Sequence, residues 1–474
     1  MERRDFAKLF LGATSVFAVP RPLIALDALS SQPVNDDDEL QRLIRHRILK
    51  QHAAHAAVAG TLNFSGRRIF TVRVPGAKDT YQLGGDTIFE IASLTKIFTA
   101  LLLAVEVVHK RVKLDDPLQD YVPAGVKAPT FEGQQITLAD LATHAASLPL
   151  RPNNLAASAP DAPNKYAGYS FEQLYGGLPS YHLKASPGTQ FSYSNLAFGL
   201  LGQGLALKEG RSFATILRER VTGPLGLSDT TLEDDPKKSA RRAQGHDFYL
   251  SPIGPTSDGV LSPAGGLRST ARDLLTLLDL FINGRGPKDL VAASRLMLSI
   301  DRPGGSEITR MALGWRRTTT NGETYYWSNG SSDGSRTFMG FNPARRAGVV
   351  ALADTASGEG LDDIGHHFLN PEQTVSTKIV PVPDFITLPE EVLLRGVGRY
   401  GHGTDDIVEI SRGYTGLIVS AEYGEFVIRP QSSTIYASKM VPGLTIEFEE
   451  GDTSPARSFI LRQGGKAYSY KRLP

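Results

Sequence analysis

Ile91-Ala92-Ser93-Leu94-Thr95-Lys96 opens an apolar run in which Leu94, Ile97, Phe98, Leu101, Leu102, Val105 and Val108 recur at i, i+3, i+4 and i+7. The spacing predicts a helix over residues 93 to about 109 with one buried face. Three positions along a helix bring Ser93 and Lys96 to the same side, about 5–6 Å apart at Cβ. A serine hydroxyl is a poor nucleophile until a base takes its proton, and an amine does so when desolvation or a second cation lowers its pKa. Ser-x-x-Lys supplies both groups from one turn. Ser is also an ordinary helix cap and Lys an ordinary surface residue, so the four residues alone decide nothing.

Two further segments change that balance. Tyr193-Ser194-Asn195 follows the turn signal Ser186-Pro187-Gly188-Thr189. A phenol near a cation can move a proton, and an Asn amide can orient a carbonyl. Ser328-Asn329-Gly330-Ser331 ends the β-like run Thr324–Trp327, where a strand edge can lay backbone groups against a peptide-like substrate. The order Ser-x-x-Lys, Tyr-x-Asn, polar-x-Gly resembles the penicillin-binding-protein and class C β-lactamase superfamily, whose class A relatives carry sister motifs. Lys113-Leu114-Asp115-Asp116-Pro117-Leu118, Ile136–His144, Gly223-Pro224-Leu225-Gly226-Leu227 and Ala264–Thr270 look like that superfamily too. Over about residues 40–370 the chain resembles its AmpH-type D-alanyl-D-alanine carboxypeptidase/endopeptidases.

The resemblance implies an α/β (α+β) fold: an antiparallel sheet flanked by helices, with an α-rich lobe and the site in the cleft between. Strands at both ends agree with one sheet built from distant segments: a hairpin of Ala56–Phe64 and Arg68–Val74, then runs near Arg310–Thr318, Thr324–Trp327, Ser335–Phe341 and Ala347–Ala353. Residues 39–52 read as a helix. Catalysis falls to Ser93 as nucleophile, Lys96 as its partner and Tyr193 as proton shuttle to the leaving group. A coupled Lys–Tyr pair shares its titration, so sequence does not say which is the resting base. Asn195, Ser328, Asn329, Gly330 and Ser331 are the substrate-binding candidates, with the backbone N–H groups of Ser93 and Ser331 as the oxyanion hole that the resemblance implies. Relatives usually carry Lys or His where this chain has Ser328, which removes a cation from the substrate-carboxylate side. Arg336, Arg268 and Arg310 are the candidates to replace it.

Other patterns compete. Gly330-Ser331-Ser332-Asp333-Gly334 matches a G-x-S-x-G elbow, with Asp354 or Asp362 and then His366 in α/β-hydrolase order. That elbow must lead from a strand into a helix, whereas Thr337–Phe341 then Asn342-Pro343 reads as strand and turn. His52 with His55, or His366 with His367, suggests a metal only weakly, because no carboxylate or cysteine cluster accompanies them. No metal and no cofactor are expected. His144 reads as a buried structural residue, and Gly265-Gly266 as a turn.

The 474 residues suggest two domains. Hydrophobic content of 41% and charged content of 21% describe a globular protein with ample core. A net charge of +1 argues against nucleic acid or anionic membrane as partner. Zero cysteines exclude disulfides and thiolate chemistry. Arg3-Arg4-Asp5-Phe6 with the short apolar run Leu9–Val19 resembles a twin-arginine leader over residues 1–28, implying a periplasmic or secreted protein with no membrane span in the mature chain. A hydrolase domain over 35–370, a proline-bearing linker at 371–389 and a lipocalin-like β-barrel module at 390–474 would follow. Seven short alternating runs between Val397 and Tyr470 point to that barrel. The reading is an exported serine hydrolase working through acyl-Ser93 on a small substrate: D-amino-acid peptide amides, with β-lactams as acylating analogues. A carboxylesterase of the same fold and a non-turnover β-lactam-binding module are the alternatives. Oligomeric state is not legible.

Overall fold

The computed structural model describes residues 36–474 except 78, 156–165, 167, 358–359, 378–384, 404–405, 414, 422–423, 439–440, 442 and 451–453. The expected leader and the middle of the expected linker lie outside the described residues. Chain contacts divide the protein into two units, one over 40–159 and 164–377, the other containing 378–474.

Helix α1 (Asp36–Leu49), whose residues from Leu40 onward belong to the first unit, starts three residues before the expected position, its acidic first turn complementing the helix dipole. The hairpin β1 (Ala56–Asn63) and β2 (Gly66–Arg73) follows. Next come α2 (Thr95–Val108), α3 (Asn195–Glu209) and α4 (Ala271–Asn283). Six strands then complete the sheet: β3 (Arg302–Ser306), β4 (Thr309–Met311), β5 (Arg316–Thr320), β6 (Glu323–Ser331), β7 (Arg336–Asn342) and β8 (Ala347–Ala353). The order is β2-β1-β8-β7-β6-β5-β4-β3, antiparallel throughout. Pairing of Ala57 with Ala353 joins the N-terminal hairpin to the C-terminal strands. α5 (Asp362–Leu369) closes the unit.

β8 reads as a continuous apolar run because both sheet faces are covered. Val350 and Leu352 join the core with α2, α3 and α4, while Val349, Ala351 and Ala353 join α1 and α5 on the other face. Helix α2 differs from expectation. Every residue from Thr95 to Glu106 is buried, so it runs through the middle of its lobe rather than presenting one face. Its small residues Thr99, Ala100 and Ala104 permit neighbours on the side that periodicity leaves polar. The expected strand Arg310–Thr318 is also two strands, broken by Ala312-Leu313-Gly314-Trp315. Gly314 has φ +72°, and an added Cβ there would lie 2.8 Å from the Ala100 Cβ and 3.1 Å from the Lys96 carbonyl oxygen. The break is where the sheet touches α2.

The second unit holds a closed eight-stranded barrel: β9 (Gly398–His402), β10 (Asp406–Arg412), β11 (Leu417–Ala421), β12 (Gly424–Pro430), β13 (Ile435–Ala437), β14 (Thr445–Phe448), β15 (Ser458–Gln463) and β16 (Lys466–Arg472). Tyr400 opposite Arg472 closes it. The strand Asp406–Arg412 was not among the expected runs, since its charged residues dilute the alternation. Its Val408 and Ile410 nevertheless point inward. Tyr400, Tyr436, Phe448, Phe459 and Tyr470 pack against one another inside, the filled interior that eight strands allow.

Candidate active site

Ser93 sits in a 3₁₀ turn, Ala92–Leu94, just before α2 rather than within it. Ala92 has φ +46°, a strained conformation for a residue with a side chain. Lys96 is buried in the first turn of α2. Its Nζ lies 3.0 Å from Ser93 Oγ, 2.8 Å from Asn195 Oδ1 and 2.7 Å from the Ala264 carbonyl oxygen. Tyr193 Oη reaches Ser93 Oγ from another direction at 2.8 Å. The amide and carbonyl oxygens can only accept, so two N–H bonds of Lys96 are committed to them. The third direction, toward Ser93, holds either an N–H or a lone pair. That is a proton-transfer geometry.

Local structure explains the convergence. Ser194 caps α3, its Oγ accepting from the Ala197 N–H at 2.9 Å. The cap fixes Tyr193 just outside the helix and Asn195 at its first position. Glycines on α3 admit the segment carrying Ala264: a Cβ at Gly202 would stand 2.3 Å from Pro263 Cβ. His144 packs behind Tyr193 with ring centroids 4.3 Å apart, its Nδ1 accepting from the Ser194 N–H at 3.1 Å. Burial, with the Lys96 and Arg316 charges, holds its pKa well below the usual value. Burial raises the Tyr193 phenol, but Lys96, Arg316 and the Ser93 hydrogen bond outweigh it and bring the pKa down.

The strand side assembles around β6. Trp327 and Asn329 face α5, where Trp327 meets the His366 ring at 4.5 Å and Asn329 donates to Asp362 at 2.5 Å. Ser328 and Gly330 alternate to the opposite face. Gly330 lies directly against the serine turn, and an added Cβ would sit 2.5 Å from the Ile91 carbonyl oxygen and 3.0 Å from Ser93 N. Pairing with β5 ends at Trp327 opposite Arg316, so Ser328–Ser331 pair only with β7 and present a free edge to the cleft. Ser328 is 5% exposed, while Ser331 is exposed.

A residue absent from the sequence reading stands at that edge. The Arg316 guanidinium lies 5.5 Å from the centre of the Tyr193 ring and 4.9 Å from that of Trp327, with Nη1 3.5 Å from Asn329 Oδ1. Burial lowers its pKa, and the Tyr193 and Asp362 charges oppose that. The three arginines considered from sequence are each paired with a carboxylate: Arg310 with Asp301 at 3.0 Å, Arg268 with Asp234 at 3.3 Å, and Arg336 at 3.3 Å with Asp362, which also accepts from Asn329. The break at Gly314 was the missing signal, since it sets where β5 begins. Ser332 of the elbow pattern lies in the turn between antiparallel strands, bonded to Glu90 at 3.1 Å, and Asp354 receives Tyr81 Oη at 2.8 Å. No serine triad forms from them.

The chain belongs to the β-lactamase family, whose model matches residues 40–369. Within that class of β-lactamase and DD-carboxypeptidase hydrolases, the chain is 34% identical over 242 residues to the D-alanyl-D-alanine-carboxypeptidase/endopeptidase AmpH of Escherichia coli K12, covering 48% of this chain and 60% of that enzyme. A Lysobacter lactamgenus β-lactamase is 25% identical over 405 residues, covering 77% of this chain and 97% of its own. Among solved structures, a class C β-lactamase from Rhodobacter sphaeroides has a TM-score of 0.59 at 22% identity, covering 70% of this chain and 97% of its own. A β-lactamase/D-alanine carboxypeptidase from Pseudomonas syringae has a TM-score of 0.60 at 21% identity, with 71% and 99% covered. Among the described residues, no helix is long and apolar enough to cross a membrane.

Proposed function

We propose that the protein hydrolyses amides of D-amino-acid peptides through an acyl-Ser93 intermediate, with β-lactams as acylating analogues. The observation that carries this is the Ser93 hydroxyl held by both Lys96 and Tyr193 beside a free strand edge. Attack on the substrate carbonyl transfers the serine proton to the Lys96–Tyr193 pair, which has one proton to share between amine and phenolate. Tyr193 then delivers a proton to the leaving amine, and water resolves the acyl-enzyme by the reverse path. Backbone N–H groups of Ser93 and Ser331 stabilise the oxyanion; losing one such donor costs about 3–4 kcal/mol. The substrate chain lies along Ser328–Ser331, its terminal carboxylate toward Arg316 in place of the Lys or His usual at position 328. This cation favours a carboxylate-bearing peptide over a neutral ester.

Labelling with a fluorescent penicillin tests the reading. Ser93→Ala is expected to abolish it while Ser332→Ala retains it, with both variants folded by circular dichroism. The reverse pattern would move the nucleophile to the elbow. Steady turnover of a D-alanyl peptide after the first equivalent separates an enzyme from a binding module. Export by the twin-arginine route rests on Arg3-Arg4-Asp5-Phe6, and replacing both arginines with lysine is expected to strand the precursor in the cytoplasm.

A further inference from the structure

His55, Asp79 and His246 come from three distant parts of the first unit and converge away from Ser93. His55 precedes β1, Asp79 lies in the loop after β2, and His246 runs beside the end of β8, where it bridges Thr355. Each offers a ligand atom within 4.8 Å of the others. Asp79 Oδ2 is 3.4 Å from His55 Nδ1, and its Oδ1 is 3.4 Å from His246 Nε2. Those separations are long for a direct N–H···O bond. The two run to different oxygens of the carboxylate, so each by itself has the length of one edge, about 3.3–3.4 Å, of a tetrahedron around an ion with bonds of about 2.0–2.1 Å.

Two independent observations point to a ligand. His55 Nδ1 and Asp79 Oδ2 face each other at 3.4 Å, both buried and neither in a hydrogen bond, and the Asp79 side chain is only 9% exposed. A buried carboxylate oxygen left so is costly. The second is the set of groups behind the cluster. His246 Nδ1 lies 3.1 Å from the Asp354 carbonyl oxygen, which can only accept. Nδ1–H therefore donates to that carbonyl, which leaves Nε2 facing Asp79 Oδ1. The Asp354 side chain is held by the Ala56 N–H at 2.8 Å, Tyr81 Oη at 2.8 Å and Thr355 Oγ1 at 3.1 Å. A ligating histidine oriented by a backbone carbonyl is the usual outer arrangement of metal sites.

We propose that His55, Asp79 and His246 bind one divalent transition-metal ion of the zinc class, through two imidazole nitrogens and a carboxylate. The ion braces structure rather than reacting. The His246 N–H donates to the Gly334 carbonyl at 3.3 Å, and Gly245 packs on Gly334. Ser335 in the same turn donates through Oγ to the Glu90 carbonyl at 2.7 Å. The ion thus pins the start of β1, the loop after β2 and the turn that follows Ser331. His52, weighed beside His55 in the sequence, is outside the cluster.

The test uses the full chain after treatment with a chelator, titrated with zinc chloride against a chromogenic zinc indicator, with thermal melting in parallel. Wild type is expected to take up one equivalent and to gain about 4 °C in Tm at a hundredfold excess over Kd. His55→Ala, whose side chain is 26% exposed and so tolerates truncation, and Asp79→Asn are each expected to weaken zinc at least about tenfold and remove the Tm gain. His52→Ala should behave as wild type. The proposal is overturned if wild type takes up no zinc, or if both cluster variants bind it undiminished. A lower Tm in Asp79→Asn with a wild type indifferent to zinc would overturn it too, leaving a histidine–aspartate ion pair.

Discussion

The two sides of the cleft are built by opposite means. On the nucleophile side, a 3₁₀ turn leading into α2 and a capped helix start bring Ser93, Lys96, Tyr193 and Asn195 together by local geometry. On the strand side, position 328 carries no charge, and the proposed cation, Arg316, stands on the neighbouring strand. A proton-transfer cluster tolerates no displacement, because its hydrogen bonds act over a few tenths of an ångström. A cation facing a carboxylate acts through a longer-ranged field and can be supplied from another backbone position. One side is therefore written in short motifs and the other in topology.

Gly330→Ala should break the link between the two sides and give the largest effect. Its methyl would stand 2.5 Å from both the Ile91 carbonyl oxygen and Thr337 Oγ1, and the backbone carbonyl cannot swing away. Displacing β6 from Ser93 N spoils the oxyanion position, and a loss of about 10²–10³ in kcat/KM is expected for every substrate class. Pre-steady-state acylation with a neutral p-nitrophenyl ester checks this. Retained acylation would mean that β6 does not set the oxyanion position.

Arg316→Gln tests the displaced cation. Losing a charge-assisted hydrogen bond should lower kcat/KM for carboxylate-bearing D-alanyl peptides by about 10- to 100-fold and leave a neutral ester much less changed. A second readout separates charge from packing. Arg316 helps hold the Tyr193 phenol low, so its removal should raise that pKa and move the acidic limb of the pH–rate profile to higher pH. An unmoved limb would show that Arg316 acts on substrate alone.

Legibility in the sequence follows the same division. Ser93, Lys96, Tyr193 and Asn195 could be named because Ser-x-x-Lys and Tyr-x-Asn are short motifs whose order resembles that of a known superfamily. The hairpin and the runs at Thr324–Trp327, Ser335–Phe341 and Ala347–Ala353 were legible from alternation or apolar content. Arg316 was not, because its role depends on the break at Gly314 and on where β5 stops pairing. The strand Arg302–Ser306, with Pro303, Gly304 and Gly305, carries no strand signal and exists as an edge partner of β4. His55 could be noticed beside His52, but Asp79 and His246 join it only through the fold.

Asp258 offers a smaller effect on the nucleophile side. Burial, reinforced by the Glu90 and Asp333 charges against that of Lys96, pushes its carboxyl up to about 7. A folded-state pKa above the unfolded one means that the folded state binds the extra proton. Stability from this group is full below about 3.9 and is lost as pH rises through 7. Between pH 5 and 7 the wild type should lose about 2 kcal/mol of unfolding free energy from this source. Asp258→Asn should flatten that slope in urea melts. Parallel slopes for both proteins would mean that the carboxyl is ionised well below pH 5.

Ser328→Lys should give the smallest change and decides whether one cation suffices. Ser328 faces the same side of β6 as Gly330 and is nearly buried, so a lysine there would extend along the strand edge toward the carboxylate. On the proposed reading, Arg316 already gives the carboxylate its charge-assisted partner. A second cation adds little while bearing its own desolvation and repelling the first. A rise of no more than about threefold in kcat/KM for carboxylate-bearing peptides is expected, within the few tenths of a kcal/mol left after those costs. In the Arg316→Gln background the same lysine should recover most of the lost activity, giving a strong coupling in the double-mutant cycle. Additive effects would mean that the two positions serve different parts of the substrate. A tenfold gain in wild type would mean that Arg316 does not reach the carboxylate, and the neutral-ester reading of the site would then take precedence.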